Sequence, residues 1–277
     1  MFAQVIDAIA KRGEEFNPIT EADYDVDGIL YCGNCHTPKQ KKLEFLGRER
    51  IVPLACKCAS ERYAEEERRE QEKERMKRAE KLRRDCFISP EHFSWTFAND
   101  DGKDERMSKA ARAYVENFKQ LAAKGKGLLF YGHTGRGKSY MAGCIANALM
   151  ENGTSCLMTN FAKIEKSLAG RFDKQEQLDS LLRYKLLCLD DFGAERDTTY
   201  MQEIVFTIID ARYQAKMPMV ITTNLTLDEL KKPKNITEER IFKRVLERCF
   251  PIEAAGPDRR VLNIIDGYDD TKSLLGL

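Results

Sequence analysis

The chain has 277 residues, and its 46 Lys and Arg residues against 45 Asp and Glu residues give a formal net charge of only +1 at pH 7. This length is enough for one large domain and a small additional one. No run is long and apolar enough to cross a bilayer, and the N-terminal stretch lacks a signal-peptide cleavage site, which predicts a cytoplasmic protein. The balanced charge excludes a global basic field, so any contact with nucleic acid must be a local patch.

Four of the nine cysteines form two close pairs near the N-terminus, Cys32 with Cys35 and Cys56 with Cys58. Four soft ligands in two close pairs suit tetrahedral Zn²⁺, and a small region with little apolar sequence gains stability from a metal. The C-x-C pair is less common than C-x2-C, so four unrelated thiols are the alternative, and His36 is able to replace one cysteine. We predict a zinc-binding N-terminal module over residues 1–58.

Charged residues of both signs dominate the stretch after the second cysteine pair. Glu, Arg and Lys favour helices, and mixed signs allow pairing between residues four apart. We therefore predict a solvated linker helix over residues 59–92. The remaining part, 93–277, has the composition of a globular domain.

The globular part alternates short apolar runs with segments of helical periodicity. The runs that predict strands are 128–131, 155–159, 186–189, 219–222 and 250–254. Strands that are apolar throughout and alternate with helices are buried on both faces. We predict an α/β fold, in which helices cover both faces of a parallel sheet.

The most specific motif, G-H-T-G-R-G-K-S, follows a predicted strand and opens a predicted helix. Its glycines let the backbone turn N–H groups toward phosphate oxygens, and the helix adds its positive end. Lys138 supplies charge to the β- and γ-phosphates, and the Ser139 hydroxyl can bind Mg²⁺. We predict a site for ATP and Mg²⁺ formed by this loop and the residue after it: Gly132, His133, Thr134, Gly135, Arg136, Gly137, Lys138, Ser139 and Tyr140.

Two acidic residues come directly after the run 186–189. Ligands bind at the carboxyl ends of parallel strands, so we predict that Asp190 holds Mg²⁺ and that Asp191 orients or deprotonates the attacking water. Asn224, just after the run 219–222, can hold that water near the γ-phosphate, although Asn is also a common turn residue.

Arginines recur near the C-terminal end of the domain. Arg240, Arg244 and Arg248 lie four residues apart, which places them on one face of a predicted helix. Such a row is either a solvated basic face or the source of an arginine for the γ-phosphate bound by a neighbouring subunit. Arg259 and Arg260 follow the last predicted strand.

Taken together, the motifs resemble a known family. Residues 93–265 are similar to the AAA+ ATPase domain of bacterial replicative-helicase loaders of the DnaC and DnaI type, and also to transposition ATPases related to IstB. The resemblance rests on the order and spacing of G-H-T-G-R-G-K-S, L-L-C-L-D-D-F-G-A-E, V-I-T-T-N-L, R-V-L-E-R and G-P-D-R-R. It implies an AAA+ phosphate-loop fold, ATP hydrolysis and self-association through the ATPase domain.

The resemblance also implies roles for the residues that match the family motifs. Asn224 matches the sensor-1 position. Arg248 matches the arginine finger that acts on the neighbouring subunit, with Arg244 as a rival. Arg260 matches the sensor-2 arginine, with Arg259 as a rival.

The second acid of the pair departs from the family pattern. Many AAA+ proteins have Asp-Glu where this chain has Asp190 and Asp191. The shorter side chain reaches less far toward water, which predicts slow, assembly-dependent hydrolysis and a switch more than a motor.

The partners implied by the resemblance are a replicative ring helicase and single-stranded DNA. The candidates for helicase binding are the zinc module and a short amphipathic start, Phe2, Val5, Ile6 and Ile9. The candidates for DNA binding interleave aromatic and cationic side chains: Phe161, Lys163, Lys166, Arg171 and Phe172. An ordinary amphipathic helix accounts for the second set equally well.

We predict an ATP-dependent loader that delivers a replicative DNA helicase onto single-stranded DNA when replication starts. One alternative is a transposase-partner ATPase of the IstB type. Another is a nucleotide-switched adaptor without significant hydrolysis. A small-molecule kinase is disfavoured, because it would leave Asn224 and the paired arginines without a role.

Overall fold

The computed structural model describes residues 17–45, 47–87, 89–168, 179–196 and 198–275. The chain forms two compact units, Met1–Glu74 and Arg75–Leu277. None of the helices in these described ranges has the length and apolar character needed to span a membrane.

The first unit contains two antiparallel hairpins. Its strands are β1 (Tyr24–Val26), β2 (Ile29–Tyr31), β3 (Gln40–Phe45) and β4 (Arg48–Pro53), paired β1 with β2 and β3 with β4. Asp27 and Gly28 both have positive φ, 52° and 75°, in the two-residue turn of the first hairpin. Asp-Gly is a preferred sequence for such turns, because both positions require left-handed backbone.

A buried ion pair supports this small unit. Lys39 Nζ lies 2.5 Å from Asp23 Oδ2 and also donates to Pro18 O at 2.7 Å. Asp23 Oδ1 accepts from Gly33 N at 3.0 Å, so the same carboxylate supports the turn between Cys32 and Cys35. The hydrogen bond from Lys39 is the main reason that the pKa of Asp23 is lowered.

The predicted charged helix is present as α1 (Lys57–Cys86), which is 30 residues long and ends at Cys86 rather than at residue 92. Glu65 pairs with Arg68 and Arg69 one turn further along it, as the interleaved charges predict. These pairs are largely exposed and contribute little to stability.

The second unit is built on a five-stranded parallel sheet. Its strands are β5 (Gly127–Tyr131), β6 (Cys156–Thr159), β7 (Leu186–Phe192), β8 (Met219–Thr223) and β9 (Cys249–Glu253). Their order across the sheet is β6-β7-β8-β5-β9, and every pairing is parallel. The predicted parallel sheet is therefore confirmed, and the strand before the phosphate loop lies next to β8.

Helices surround this sheet. They are α2 (Glu105–Glu116), α3 (Phe118–Ala123), α4 (Lys138–Glu151), α5 (Phe161–Leu168), α6 (Thr199–Gln214), α7 (Leu227–Lys231), α8 (Ile236–Arg248) and α9 (Arg259–Leu275). α2 and α3 follow one another directly along the chain. The chain leaves helical geometry at Asn117, which ends α2 and begins α3.

The sheet has an apolar core on each face. Leu128 and Phe130 belong to the core that includes α2 and α4, whereas Leu129 belongs to the core that includes α5, α6 and α8. Side chains of successive strand residues point to opposite faces, so an apolar run is buried on both sides. This arrangement is the one that the fully apolar strands predict.

The buried side chain of Arg212 contacts the backbone just before β7 and just before β8. Arg212 of α6 is fully buried, and its guanidinium donates to the carbonyls of Tyr184 at 2.7 Å and of Pro218 at 2.6 Å. Burial lowers the pKa of Arg212 to about 10. Among the described residues no acidic side chain contacts this guanidinium. The carbonyl oxygens therefore offset the free-energy cost of burying its charge.

Candidate nucleotide-binding site

The loop between β5 and α4 has the backbone geometry of a phosphate-binding loop. Its three glycines have positive φ: 115° at Gly132, 75° at Gly135 and 83° at Gly137. A Cβ on Gly135 would lie 1.9 Å from a carboxylate oxygen of Asp258, and one on Gly137 would lie 2.8 Å from the guanidinium of Arg259. Only glycine satisfies both the backbone conformation and the close approach of the segment 258–259.

Lys138 connects this loop with the end of β8. Its side chain is 6% exposed, and Nζ donates to Gly132 O at 2.8 Å, His133 O at 2.7 Å and Asn224 Oδ1 at 2.9 Å. Burial lowers the pKa of Lys138, and the nearby Asp191 and Asp190 oppose that shift. Lys138 and Asn224, which were predicted from separate motifs, are therefore in direct contact.

The strand that carries the acidic pair does not end where the sequence predicts. β7 continues through Phe192, and its pairing with β8 shifts: Leu189 pairs with Ile221, whereas Phe192 pairs with Thr223. Two residues of β7 therefore lie opposite one residue of β8, which is a β-bulge. The apolar run 186–189 could not predict this extension, because polar residues in a strand also mark its end.

The bulge brings both carboxylates to the same site. In a regular strand Asp190 and Asp191 would face opposite sides of the sheet. Here Asp191 has a φ of +54°, and both carboxylates interact electrostatically with Lys138. Left-handed backbone is uncommon outside glycine but is tolerated by Asp. Both carboxylates are therefore close enough to Lys138 to affect its pKa.

Thr222 lies in the centre of this arrangement, and the motif analysis missed it as a site residue. Its side chain is 1% exposed; Oγ1 donates to Asp190 Oδ1 at 2.6 Å and accepts from Asp191 N at 3.0 Å. The neighbouring Thr223 Oγ1 donates to Phe192 O at 2.6 Å. The only signal in the sequence is a pair of hydroxyl residues at the end of an otherwise apolar buried strand.

The electrostatic surroundings make Asp191 a better proton acceptor. Desolvation, followed by the charge of Asp190, raises the pKa of Asp191, while Lys138 and Arg260 lower it. A carboxylate with a raised pKa has more affinity for a proton from water. This geometry is compatible with the predicted role of Asp191 toward the attacking water.

The donor set fits a nucleotide with its magnesium ion. Mg²⁺ prefers oxygen ligands, usually one or two from the protein together with phosphates and water. Ser139 offers a hydroxyl in the first turn of α4, and Asp190 has one carboxylate oxygen that no hydrogen bond engages within the described ranges. The N-terminus of α4 and Lys138 supply positive charge for phosphate.

Tyr140 has a different environment from the rest of the predicted nucleotide set. Its hydroxyl donates to Thr96 O at 2.9 Å, and its ring lies 5.9 Å from that of Trp95. Tyr140 therefore anchors the segment before α2 to the helix that follows the phosphate loop.

The two arginines at the start of α9 differ in their contacts. Arg259 N donates to Gly135 O at 2.8 Å, and its Nη1 donates to Arg136 O at 2.8 Å. Arg260 is exposed, and its charge contributes to lowering the pKa of Asp191. Arg259 is thus committed to the backbone of the loop, whereas Arg260 lies near the acidic pair without a side-chain hydrogen bond among the described residues.

The arginine row of α8 packs against α6 of the same chain. Arg244 Nη2 lies 2.7 Å from Asp210 Oδ1, whereas Arg240 is exposed. The Arg248 guanidinium lies 4.5 Å from the centre of the Tyr213 ring and donates to Tyr213 O at 3.2 Å. The spacing of four places the arginines on one face of α8, and Arg244 and Arg248 contact α6 from that face.

The four predicted cysteine ligands converge in the first unit. The Sγ atoms of Cys32, Cys35, Cys56 and Cys58 all lie within 4.8 Å of one another. Hydrogen bonds, of which the largest effect comes from the Thr37 hydroxyl 3.0 Å from Cys35 Sγ, lower the pKa of that thiol to about 5. Four convergent sulfurs can bind a tetrahedral metal ion such as Zn²⁺.

His36 does not join these sulfurs. Its backbone is left-handed, with a φ of 54°, and its Nδ1 lies 3.2 Å from the Tyr24 hydroxyl. The alternative in which His36 replaces a cysteine is therefore not supported by the structure.

The predicted DNA-binding set is only partly available for a ligand. Phe161 is 2% exposed and packs in the core beside Phe192, with ring centres 6.2 Å apart, so its assignment as a base-stacking residue is corrected. Lys163 and Lys166 are exposed on α5. The other predicted residues lie outside the described ranges, as does the predicted amphipathic start: Arg171, Phe172, Phe2, Val5, Ile6 and Ile9.

The fold and this site define a phosphate-loop, ATP-binding protein of the AAA+ type. The family model of the IstB-like ATP binding protein matches residues 54–261, which is most of the chain. The chain therefore belongs to the IstB-like ATP-binding protein family.

Two relatives and one solved structure show where the chain is similar to known proteins. The replicative helicase loader DnaC of Escherichia coli (strain K12) is 30% identical over 184 residues, covering 62% of this chain and 72% of DnaC. The replicative helicase loader DnaI of Bacillus subtilis (strain 168) is 27% identical over 203 residues, covering 68% of this chain but only 65% of DnaI, which is less than two thirds. A crystal structure of DnaI superposes with a TM-score of 0.52 at 28% identity, covering 63% of this chain and 95% of that one.

Proposed function

We propose that this protein is an ATP-dependent loader that delivers a replicative ring helicase onto single-stranded DNA. The observation that carries the proposal is the contact of Lys138 with Asn224 beside the paired acids Asp190 and Asp191. Together with the similarity to the loaders DnaC and DnaI, it supports an ATP site coupled to helicase delivery.

Within the proposed site each side chain has a distinct task. Lys138 exchanges its loop carbonyls for phosphate oxygens, and Ser139 and Asp190 are the ligands that would hold Mg²⁺. The bound ion would neutralise phosphate charge. Asp191 accepts a proton from the attacking water, and Asn224 orients that water.

Two arginines complete the proposed machinery. Arg260 acts as the sensor of nucleotide in its own subunit, since Arg259 is committed to the loop backbone. Arg248 reaches the γ-phosphate of a neighbouring subunit after leaving its contact with Tyr213. Hydrolysis in this scheme is slow and depends on self-association through the ATPase unit.

Residues 1–58 of the first unit are the proposed helicase-binding module, organised by one Zn²⁺ that the four cysteines would hold. Four sulfurs within 4.8 Å support this assignment, because a unit with so few buried apolar residues gains stability from a metal. In domain terms we propose residues 1–58 as this module, 59–92 as linker and 93–277 as the ATPase.

A transposase-partner ATPase is the second candidate, and the matching family model favours it. The two candidates differ in the partner that stimulates ATP turnover. A nucleotide-switched adaptor is the third, and it differs in having no turnover at all.

The test uses the full chain with its host's replicative helicase and a fluorescent ATP analogue. Lys138→Ala should bind the analogue at least about tenfold more weakly and fail to place helicase on single-stranded DNA, because the loop loses its phosphate cation. Lys243→Ala is the matched control, since Lys243 is exposed and its ion pair in the described part of the chain is with Glu239. Undiminished nucleotide binding by folded Lys138→Ala would disprove the site, and stimulation by a transposase but not by the helicase would favour the second candidate.

A further inference from the structure

Thr222 is a buried threonine whose hydroxyl serves both members of the acidic pair. A hydroxyl has one hydrogen to donate and two lone pairs to accept with. Oγ1 of Thr222 uses its hydrogen for Asp190 Oδ1 at 2.6 Å and one lone pair for Asp191 N at 3.0 Å. One atom of β8 therefore sets the position of two consecutive residues of β7.

Packing alone does not explain a threonine at this position. The preceding residues of β8 are the apolar Met219, Val220 and Ile221, all buried. Valine has nearly the same shape as threonine, and burying a hydroxyl costs free energy unless it is hydrogen-bonded. Among the described residues the hydroxyl of Thr222 bonds with Asp190 Oδ1 and Asp191 N, so the cost of its burial is offset through the acidic pair.

The backbone of β7 needs this support. Asp191 has a φ of +54°, and its N–H donates to Thr222 Oγ1 at 3.0 Å. Left-handed backbone at a residue other than glycine costs about 1–2 kcal/mol. Thr223 secures the other side of the bulge through Phe192 O. The bulge that carries both acids is therefore held from β8.

We propose that Thr222 is a positioning residue for the metal side of the nucleotide site. It fixes the carboxylate of Asp190 so that the free oxygen meets the Mg²⁺ of the bound nucleotide, and it holds the bulge that presents Asp191. The proposal rests on the proposed ATP site, and it adds a residue that acts through the acids without touching nucleotide.

The decisive variant is Thr222→Val, which keeps the shape and removes the hydroxyl. The Kd of a fluorescent ATP analogue is measured with Mg²⁺ and with EDTA, using the full chain. The gain in affinity from Mg²⁺ should fall about tenfold or more, as for other groups that orient metal ligands, while the Kd in EDTA changes less than about twofold. Thr222→Ser restores the hydroxyl and should recover most of the gain.

Thr159→Val is the matched control. Thr159 is buried at the end of neighbouring β6. Among the described residues its hydroxyl donates to Asn160 O at 3.5 Å and not to the acidic pair, so its replacement should leave the Mg²⁺ gain unchanged. In an Asp190→Asn background, Thr222→Val should cost no further Mg²⁺ gain, because Thr222 acts through Asp190. Thr222→Ala is measured in parallel, which keeps the test decisive if the valine variant does not fold.

Each outcome decides a separate question. An unchanged Mg²⁺ gain in folded Thr222→Val or Thr222→Ala would overturn the proposal, and so would equal losses with and without Mg²⁺, since these indicate a structural role. Failure of Thr222→Ser to rescue would also overturn it. A wild-type chain that shows the Mg²⁺ gain but no hydrolysis contradicts the proposed ATPase activity and leaves the role of Thr222 intact.

Discussion

Arg259 holds both carboxylate oxygens of Asp101. Its Nε donates to Oδ2 at 2.8 Å and its Nη2 donates to Oδ1 at 2.6 Å, while Nη1 donates to Arg136 O in the phosphate loop. The pair thereby connects the segment before α2 to the loop, and it commits Arg259 to a positional role.

Replacing Asp101 should therefore loosen the phosphate loop. Asp101→Asn is expected to weaken ATP binding several-fold and to lower the free energy of unfolding by about 1 kcal/mol, because the pair is partly exposed and screened. Fluorescent-nucleotide titration and thermal unfolding measure both effects. Glu105→Gln, a change at an exposed acid in the first turn of α2, is the control. It should leave ATP binding unchanged and lower the free energy of unfolding by about 0.3–1 kcal/mol through the helix dipole, so the nucleotide titration carries the comparison.

The ion pair between Arg259 and Asp101 should also make the stability of the fold depend on pH in the acidic range. The hydrogen bond from Arg259 lowers the pKa of Asp101 from 3.8 to about 2. Because the pKa in the folded chain is lowered, the pair stabilises the fold above about pH 4, and this stabilisation is lost as pH falls toward 2. The stability difference between wild type and Asp101→Asn should shrink over that interval, and a difference that is constant with pH would contradict the assignment.

Gly143 is a position where a single methyl group should disturb the structure. A Cβ there would lie 2.5 Å from Cε3 of Trp95, closer than side chains pack. Gly143→Ala should therefore destabilise the fold by about 1–3 kcal/mol through overpacking. Trp95 is the one tryptophan in the sequence, so its fluorescence reports the displacement directly.

The control for the clash between a Cβ at position 143 and Trp95 replaces the tryptophan. Trp95→Leu takes away the ring, so Gly143→Ala should cost less in that background than in wild type. Equal costs in both backgrounds, measured by thermal unfolding, would show that the ring is not the obstacle.

The purified chain should contain about one zinc ion, bound by the four convergent cysteines. The double variant Cys56→Ser, Cys58→Ser should lose the metal, because two of the four sulfurs are removed, and should still bind ATP through the second unit. Metal analysis by mass spectrometry measures the content. His36→Ala should keep its zinc, since His36 contacts Tyr24 instead; loss of zinc in that variant would mean that the metal has a different ligand set.

Arg248 should be needed for turnover but not for binding. Arg248→Ala is expected to bind ATP almost normally and to hydrolyse it up to about 10³-fold more slowly, because a finger acts across the subunit boundary. Mixing it with Lys138→Ala should restore part of the activity, since the second variant still offers an intact Arg248. ATP turnover against protein concentration measures both effects.

Arg244 provides the comparison for this experiment. Arg244→Ala also breaks the ion pair with Asp210, so its folding is checked by thermal unfolding before turnover is compared. If Arg244→Ala complements Lys138→Ala and Arg248→Ala does not, the finger is Arg244. If neither mixture regains activity while the variants assemble together, no arginine of this pair acts on a neighbour.

The sequence by itself determined the architecture and the chemistry of the main motif. Strands of a buried parallel sheet must be apolar on both faces, so the five apolar runs could be recognised in a single sequence. Each run corresponds to a strand of the sheet. The phosphate loop was equally legible, because its function depends on consecutive backbone groups. The two cysteine pairs could also be recognised, because close spacing in the sequence brings the two sulfurs of a pair near each other.

Only the tertiary structure decided which side chains from different strands meet. The role of Thr222 depends on a bulge that sets it opposite Asp190 and Asp191, and the commitment of Arg259 depends on a segment more than 150 residues earlier in the chain. Phe161 was misassigned because an aromatic residue beside lysines has the same pattern whether its ring faces a core or a ligand. The spacing of residues in the sequence predicts contacts between near neighbours along the chain. Strand register, burial and the pairing of distant charges are decided only when the sheet assembles.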